Sequence, residues 1–217
     1  TRTLEKDEHA TVLNALSLDG AIKIEEKRFT SIGPVIGQEL ARKAIFSLST
    51  VTLMIILFVA WAFRKVSKSA NGVSSWKYGF VAVITLLHDI ALPAGVFAVL
   101  GYFANVEIDI LFVTALLAIL GYSVNDTIVV FDRVRENLLK DSTEDLEVTI
   151  NNSIKETMRR SVFTSLTTLI VLVSIYFLGS ETIQSFILAL VIGIVAGTYS
   201  SIFLASPLLV TLRKRNF

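Results

Sequence analysis

Residues 110–131 read ILFVTALLAILGYSVNDTIVVF, a run with one acidic side chain, Asp126, and no Lys or Arg. A helix needs about 20 predominantly apolar residues to cross the hydrocarbon core of a bilayer, and this run is long enough. Helices buried in water-soluble cores average only about 10–14 residues, so the run predicts a membrane span. Comparable runs lie on either side of it. Together they predict helices over about residues 43–64, 78–104, 109–132, 160–180 and 183–212. The fold class expected is therefore an all-α integral membrane bundle of five helices, with residues 34–217 as its membrane domain.

The composition agrees. Of 217 residues 53% are hydrophobic and 18% charged, against about a quarter charged in a typical soluble domain. There is no cysteine, which excludes disulfides and thiolate metal sites. The chain begins Thr1-Arg2-Thr3 without an initiator methionine or a signal peptide, and it is expected to be the later part of a longer protein.

The charges sort by connection. Residues 65–77 and 133–159 are rich in Lys and Arg, as are Arg213, Lys214 and Arg215, whereas the turns near Asn105 and Gly179 have none. The positive-inside rule then places those connections and the C-terminus in the cytoplasm, and the N-terminal segment outside. That outer segment, residues 1–33, reads as a helix over about Lys6–Leu16, a turn at Asp19-Gly20 and a strand over Ala21–Phe29. About forty residues seldom bury a sufficient core alone, so it is expected to be the C-terminal part of an extracytoplasmic α/β domain. The connection 133–159 is expected to be helical, since Leu146, Ile150, Ile154 and Met158 recur every fourth residue after Ser142-x-x-Asp145.

Within the bilayer, helices associate through close backbone approach at small residues and through occasional polar contacts. The last span carries Ala189, Gly193, Gly197, Ser201 and Ala205 on one stripe, and the third carries Thr114, Ala118, Gly121 and Asn125. Gly193, Gly197, Ser201 and Gly121 are the expected packing positions. Acidic groups at depth are costly unless paired, protonated or hydrated, which makes them functional candidates. Asp126 lies about 9 Å inside the boundary marked by Asp132, at 1.5 Å per residue. A carboxyl there can take and release protons as its surroundings alternate, with Arg160 standing at the start of the fourth span. Asp89, His88 and Asn125 form an additional polar site within the spans, His88 being expected to point about 100° away from Asp89. Gly33, Pro34 and Gly37 read as a hinge or as a helix-start turn.

Several of these stretches together resemble one family. SIGPVIGQEL at 31–40, His88-Asp89, GYSVNDTIVVFDRVREN at 121–137, TMRRSVFTS at 157–165 and GTYSSIFLA at 197–205 are similar to ordered motifs of the SecF protein-export subunits. The resemblance implies a subunit of a proton-driven complex of the resistance-nodulation-division superfamily in the bacterial cytoplasmic membrane. Its implied partners are SecD, the SecYEG channel, a translocating polypeptide and membrane lipid. It implies that these five spans are the second to sixth of six, that Asp126 and Arg160 lie on the proton path with Arg160 as the basic partner of Asp126, and that protons serve as coupling ion without another cofactor. A stand-alone proton-coupled transporter of small molecules is the alternative, and Pro93 and Pro207 are the residues that could break its helices. No Ser-His-Asp spacing, metal-ligand pattern or phosphate loop points to an enzyme, and the basic residues sit at membrane boundaries rather than in a nucleic-acid-binding patch.

Overall fold

The structure is a computed structural model that describes residues 6–17, 34–64, 74–140 and 144–214. The chain divides into two compact units, residues 1–45 and 46–217. In the first, α1 spans Lys6–Leu16, where the sequence predicts a helix. The expected turn at Asp19-Gly20 and strand at 21–29 lie outside the described residues, as does Gly33. Pro34 opens α2, Pro34–Ala62; its missing N–H costs nothing at a position where no helical partner exists. Gly37 falls inside that helix as part of its regular course.

The second unit holds the remaining helices: α3 (Ser75–Ala104), α4 (Ile110–Lys140), α5 (Leu146–Leu178), α6 (Glu181–Ser200), a π-helical turn (Ser201–Ala205) and α7 (Ser206–Lys214). Among the described residues, five helices are long and apolar enough to cross a membrane, the last running from Glu181 to Arg213 through the π turn. The protein is a multi-pass membrane protein. Local chemistry sets the helix ends. Asn105 closes α3 in the left-handed conformation, φ 53°, its N–H returning to the Leu100 carbonyl. Asp109 starts α4 by accepting the Phe112 N–H at 3.0 Å. Ser180 accepts the Thr182 N–H and starts α6. Pro93 sits within α3, which continues past it. The π turn lies directly before Pro207. Proline has no N–H for the Phe203 carbonyl one α-helical turn back, and the Ser206 hydroxyl instead reaches the Ser201 carbonyl five residues back, at 3.4 Å.

Two apolar clusters occupy the two ends of this unit. One joins Val59, Phe63, Tyr78, Ala82, Phe131 and Leu138, with Phe63 stacked on Tyr78 at 5.0 Å and Phe131 set edge-on to Tyr78 at 5.2 Å. The other joins Phe97, Phe112, Leu116, Ile119 and Ala189. On α3, α4 and α6 alike, the buried polar residues fall between the two clusters. The first cluster extends into the pairing of α4 with α5 at the Lys/Arg-rich end, through Leu138, Leu146 and Ile150. Arg133 bridges to Glu156 across it, and Asn137 donates to Ser153 at 3.0 Å. The inward line of α5 is hydroxyl-bearing: Thr149, Ser153, Thr157, Ser161 and Ser165 are buried. Leu146 and Ile150 are buried too, but Met158, at the end of the predicted apolar stripe, is 37% exposed. Small hydroxyl residues let α5 approach closely, and Ser153 and Thr157 meet their own polarity by donating to carbonyls four residues earlier.

The small-residue stripe of the last span is buried throughout, at Ala189, Gly193, Gly197, Ser201 and Ala205. A Cβ at Gly193 would collide with the Ile119 side chain, and one at Gly197 would lie 3.0 Å from the Ser123 Cβ. Gly121 is different. It is exposed, and a Cβ there would meet nothing within 4 Å, so its expected packing role finds no counterpart among the described residues. Overpacking costs about 1–3 kcal/mol, so Gly193→Ala lowers the unfolding midpoint in detergent. Adding Ile119→Ala removes the obstructing atoms, and the two changes together destabilise less than their sum.

Candidate functional site

The polar layer between the apolar clusters is organised by two acids. Asp126, on α4, is 9% exposed. Its Oδ1 accepts the Ser161 hydroxyl of α5 at 2.5 Å, and its Oδ2 accepts the Ser201 hydroxyl of the π turn at 2.5 Å. Asp89, on α3, is 0% exposed. Its Oδ2 accepts the hydroxyls of Ser123 on α4 and of Ser200 on α6, the latter at 2.8 Å, while His88 Nδ1 lies 2.9 Å from Oδ1. Consecutive residues, Ser200 and Ser201, therefore serve different carboxylates. Pro93 also has no N–H to give to the Asp89 carbonyl four residues earlier.

Magnitudes explain the serines. An acid at the centre of a membrane helix costs about 2.5–3.5 kcal/mol or more, and a hydrogen bond to a charged group returns about 1.5–3 kcal/mol. Two hydroxyl donors per carboxylate therefore offset most of the penalty. A hydroxyl both donates and accepts, so the cradle fits a carboxylate and a carboxylic acid alike. The same serines have a second place for their proton: Ser201 Oγ lies 3.0 Å from the Thr198 carbonyl, and Ser200 Oγ 3.1 Å from the Gly197 carbonyl. Ser201 and Ser200 can thus turn from their carboxylates to these carbonyls without losing a hydrogen-bond acceptor. Alongside, Ser165 and Thr198 pair at 2.6 Å between α5 and α6, beside an apolar groove lined by Leu166, Leu169, Tyr199 and Phe203.

The predicted residues divide accordingly. His88 and Asp89 come together, and the imidazole folds back onto its neighbour instead of pointing away. Asn125 is exposed and lies off the cluster. Arg160 is exposed as well; the partners of Asp126 are Ser161 and Ser201, so the expected Asp126–Arg160 pair is replaced here by hydroxyl contacts. Arg160 lines a groove of about 330 Å³ between α4 and α5, with Asp132, Arg133, Glu136, Glu156 and Thr157. Ser123 and Ser200 were not singled out in the sequence as site residues. Their signal is the hydroxyl at a small-residue position facing an acid, which becomes specific only once helix register is known.

The family description "Protein export membrane protein SecD/SecF, C-terminal" matches residues 12–215. This chain belongs to the SecD/SecF family. Among SecD/SecF relatives, the protein translocase subunit SecF of Thermobaculum terrenum is 49% identical over 89% of this chain and 59% of the relative. That of Synechocystis is 37% identical over 98% of this chain and 64% of the relative. The crystal structure of SecDF from Thermus thermophilus, described as a translocon-associated membrane protein, superposes with a TM-score of 0.79 at 35% identity, covering 98% of this chain and 27% of that one. A second SecDF structure, in its super-membrane-facing form, gives 0.72 at 33% identity, covering 97% of this chain and 27% of that one. The chain spans about three fifths of the length of the curated relatives it matches.

Leaving a buried acceptor without its donor costs about 1–3 kcal/mol. Ser161→Ala and Ser201→Ala should each lower stability by that amount in denaturant titrations in detergent. Thr164→Ala is the comparison, because that exposed hydroxyl bonds only its own helix, at the Arg160 carbonyl; its effect should stay within about 0.5 kcal/mol.

Proposed function

We propose that this chain is the membrane part of a SecF subunit, working with SecD to couple the proton-motive force to SecYEG-dependent protein translocation. The observation that carries the proposal is Asp126, enclosed between α4, α5 and the π turn with a serine hydroxyl on each oxygen. Sequence identity to SecF subunits over nearly the whole chain supports the assignment of machinery. In this reading the subunit sits in the bacterial cytoplasmic membrane, with its C-terminus cytoplasmic and residues 1–33 belonging to an extracytoplasmic α/β domain. Lipid surrounds the bundle, and the moving polypeptide engages the outer domain.

Asp126 is the proton carrier. A proton arriving from outside converts the carboxylate to the acid, Ser201 releases its hydrogen bond toward the Thr198 carbonyl, and the contact between α4 and the π turn loosens. Loss of the proton toward the cytoplasm restores the cradle. Arg160, one residue before Ser161, supplies positive charge at the cytoplasmic mouth of this route, where the groove between α4 and α5 opens. Moving one charge through 100 mV yields about 2.3 kcal/mol, which shifts a balanced two-state equilibrium by nearly fifty-fold. That is enough to bias a swing of the outer domain.

The test uses full-length protein with SecD and SecYEG in inverted vesicles. Asp126→Asn keeps the size of the side chain and removes the proton; export should lose its stimulation by a proton gradient. Wild-type stimulation in Asp126→Asn would overturn the relay. Proton leak of the same vesicles should change in Arg160→Met, and an unchanged leak removes Arg160 from the route. Co-purification from native membranes checks the partners, and failure to bring down SecD would overturn the assembly.

A further inference from the structure

Asp89 does more structural work than a passive polar contact requires. It is fully enclosed, yet it draws donors from both α4 and α6 and from the adjacent imidazole. A buried carboxylate with no positive charge beside it is expensive, whereas one with a protonatable partner can settle as an ion pair or as a neutral pair. We infer that His88 and Asp89 form a second proton-binding site, filled and emptied through the His88 ring.

The surroundings fit that role. From α3, Thr85 is buried but bonds only to the Val81 and Ala82 carbonyls of its own helix. From α4, the facing polar group is Ser123, with the Asp126 carboxyl one turn further along. From α6 come Ser200 and the Tyr199 ring, whose centroid is 6.4 Å from that of His88. Residues 46–62 of α2 bring no ionisable side chain, and the basic end of α7 lies beside Lys77, which donates to the Leu212 carbonyl. Among the described residues, the basic side chain within ion-pair distance of Asp89 is His88 alone. The His88 side chain is 33% exposed, on an open groove along α3 that also includes Ala91, Leu92 and Gly95. The imidazole thus holds the enclosed acid through Nδ1 while the rest of the ring reaches the outer face of the bundle, the arrangement needed for a ring that passes a proton from one nitrogen while receiving at the other. The two sites are also tied together: Ser200 serves Asp89 and Ser201 serves Asp126, so a change of charge at one acid acts on the hydroxyl next to the other's partner. That the second site takes part in export rests on the function proposed above; that it binds a proton does not.

Infrared difference spectroscopy after a pH jump, on full-length protein in lipid, separates these statements. In an Asp126→Asn background, a protonated-carboxyl band should remain, and it should vanish on adding Asp89→Asn. Should that double variant fail to fold, Ser200→Ala in the same background should move the band to higher frequency, because the carbonyl loses a donor. His88→Gln keeps a hydrogen-bonding side chain but cannot relay a proton; the band should then follow the pH jump about a hundredfold more slowly, in line with the contribution of a positioned proton-transfer group. A spectrum without a carboxyl band in Asp126→Asn, or a band indifferent to Asp89→Asn and to Ser200→Ala, would overturn the second site. An unchanged rate in His88→Gln would overturn the imidazole's part. None of these outcomes depends on whether Asp126→Asn vesicles export, so failure of the relay and failure of this site are read separately.

Discussion

An acid inside a lipid-facing bundle must be met by donors from its neighbours, and that demand fixes the register of four elements at once. Asp126 requires Ser161 and Ser201 at one height; Asp89 requires Ser123 and Ser200 at the same level of the shaft. Hydroxyl donors reach only about 3 Å, so the helices must come close. The glycines at 193 and 197 permit that approach, since a methyl group at either would press on Ile119 or on Ser123 itself. Packing and polarity are therefore one constraint, because the residue displaced by crowding at 197 is a ligand of the buried acid.

Much of this was legible in the sequence. The runs free of charge gave the five membrane-crossing helices because hydrophobic length is a property of composition and needs no knowledge of neighbours. The acids at depth stood out for the same reason. What stayed hidden was pairing. Arg160 looked like the natural counter-ion of Asp126 because opposite charges attract, but the hydroxyls of Ser161 and Ser201 reach the carboxylate instead, and Arg160 lies exposed in the groove between α4 and α5. His88 looked turned away from Asp89 because backbone geometry separates consecutive residues by about 100°; side-chain torsions brought the ring back. Gly121 shared a stripe with true contact positions and still faces outward, since a stripe defines a face without saying what covers it. The α/β character expected of residues 1–33 falls largely outside the described residues, with only α1 observed there.

Adjacent serines can serve acids on different helices because successive side chains on a helix point about 100° apart, and Ser200 and Ser201 both keep ordinary helical dihedrals. The π turn begins at the second of them, and such turns recur at functional sites in helices. Here the π turn begins at the residue that holds Asp126, so in the proposed cycle the least regular part of the last span is also the part that responds to a change of charge.

The ring cluster of Phe63, Tyr78 and Phe131 acts as a stopper at one end of the shaft. With aromatic faces filling the space among α2, α3 and α4, hydration from that flank is blocked. The open side is the seam between α4 and α5, where Thr157 and Arg160 line a polar cleft. In the proposed cycle, an ion or water molecule leaving the interior on this side would meet a cleft of mixed charge, with Asp132, Glu136 and Glu156 set beside Arg133 and Arg160.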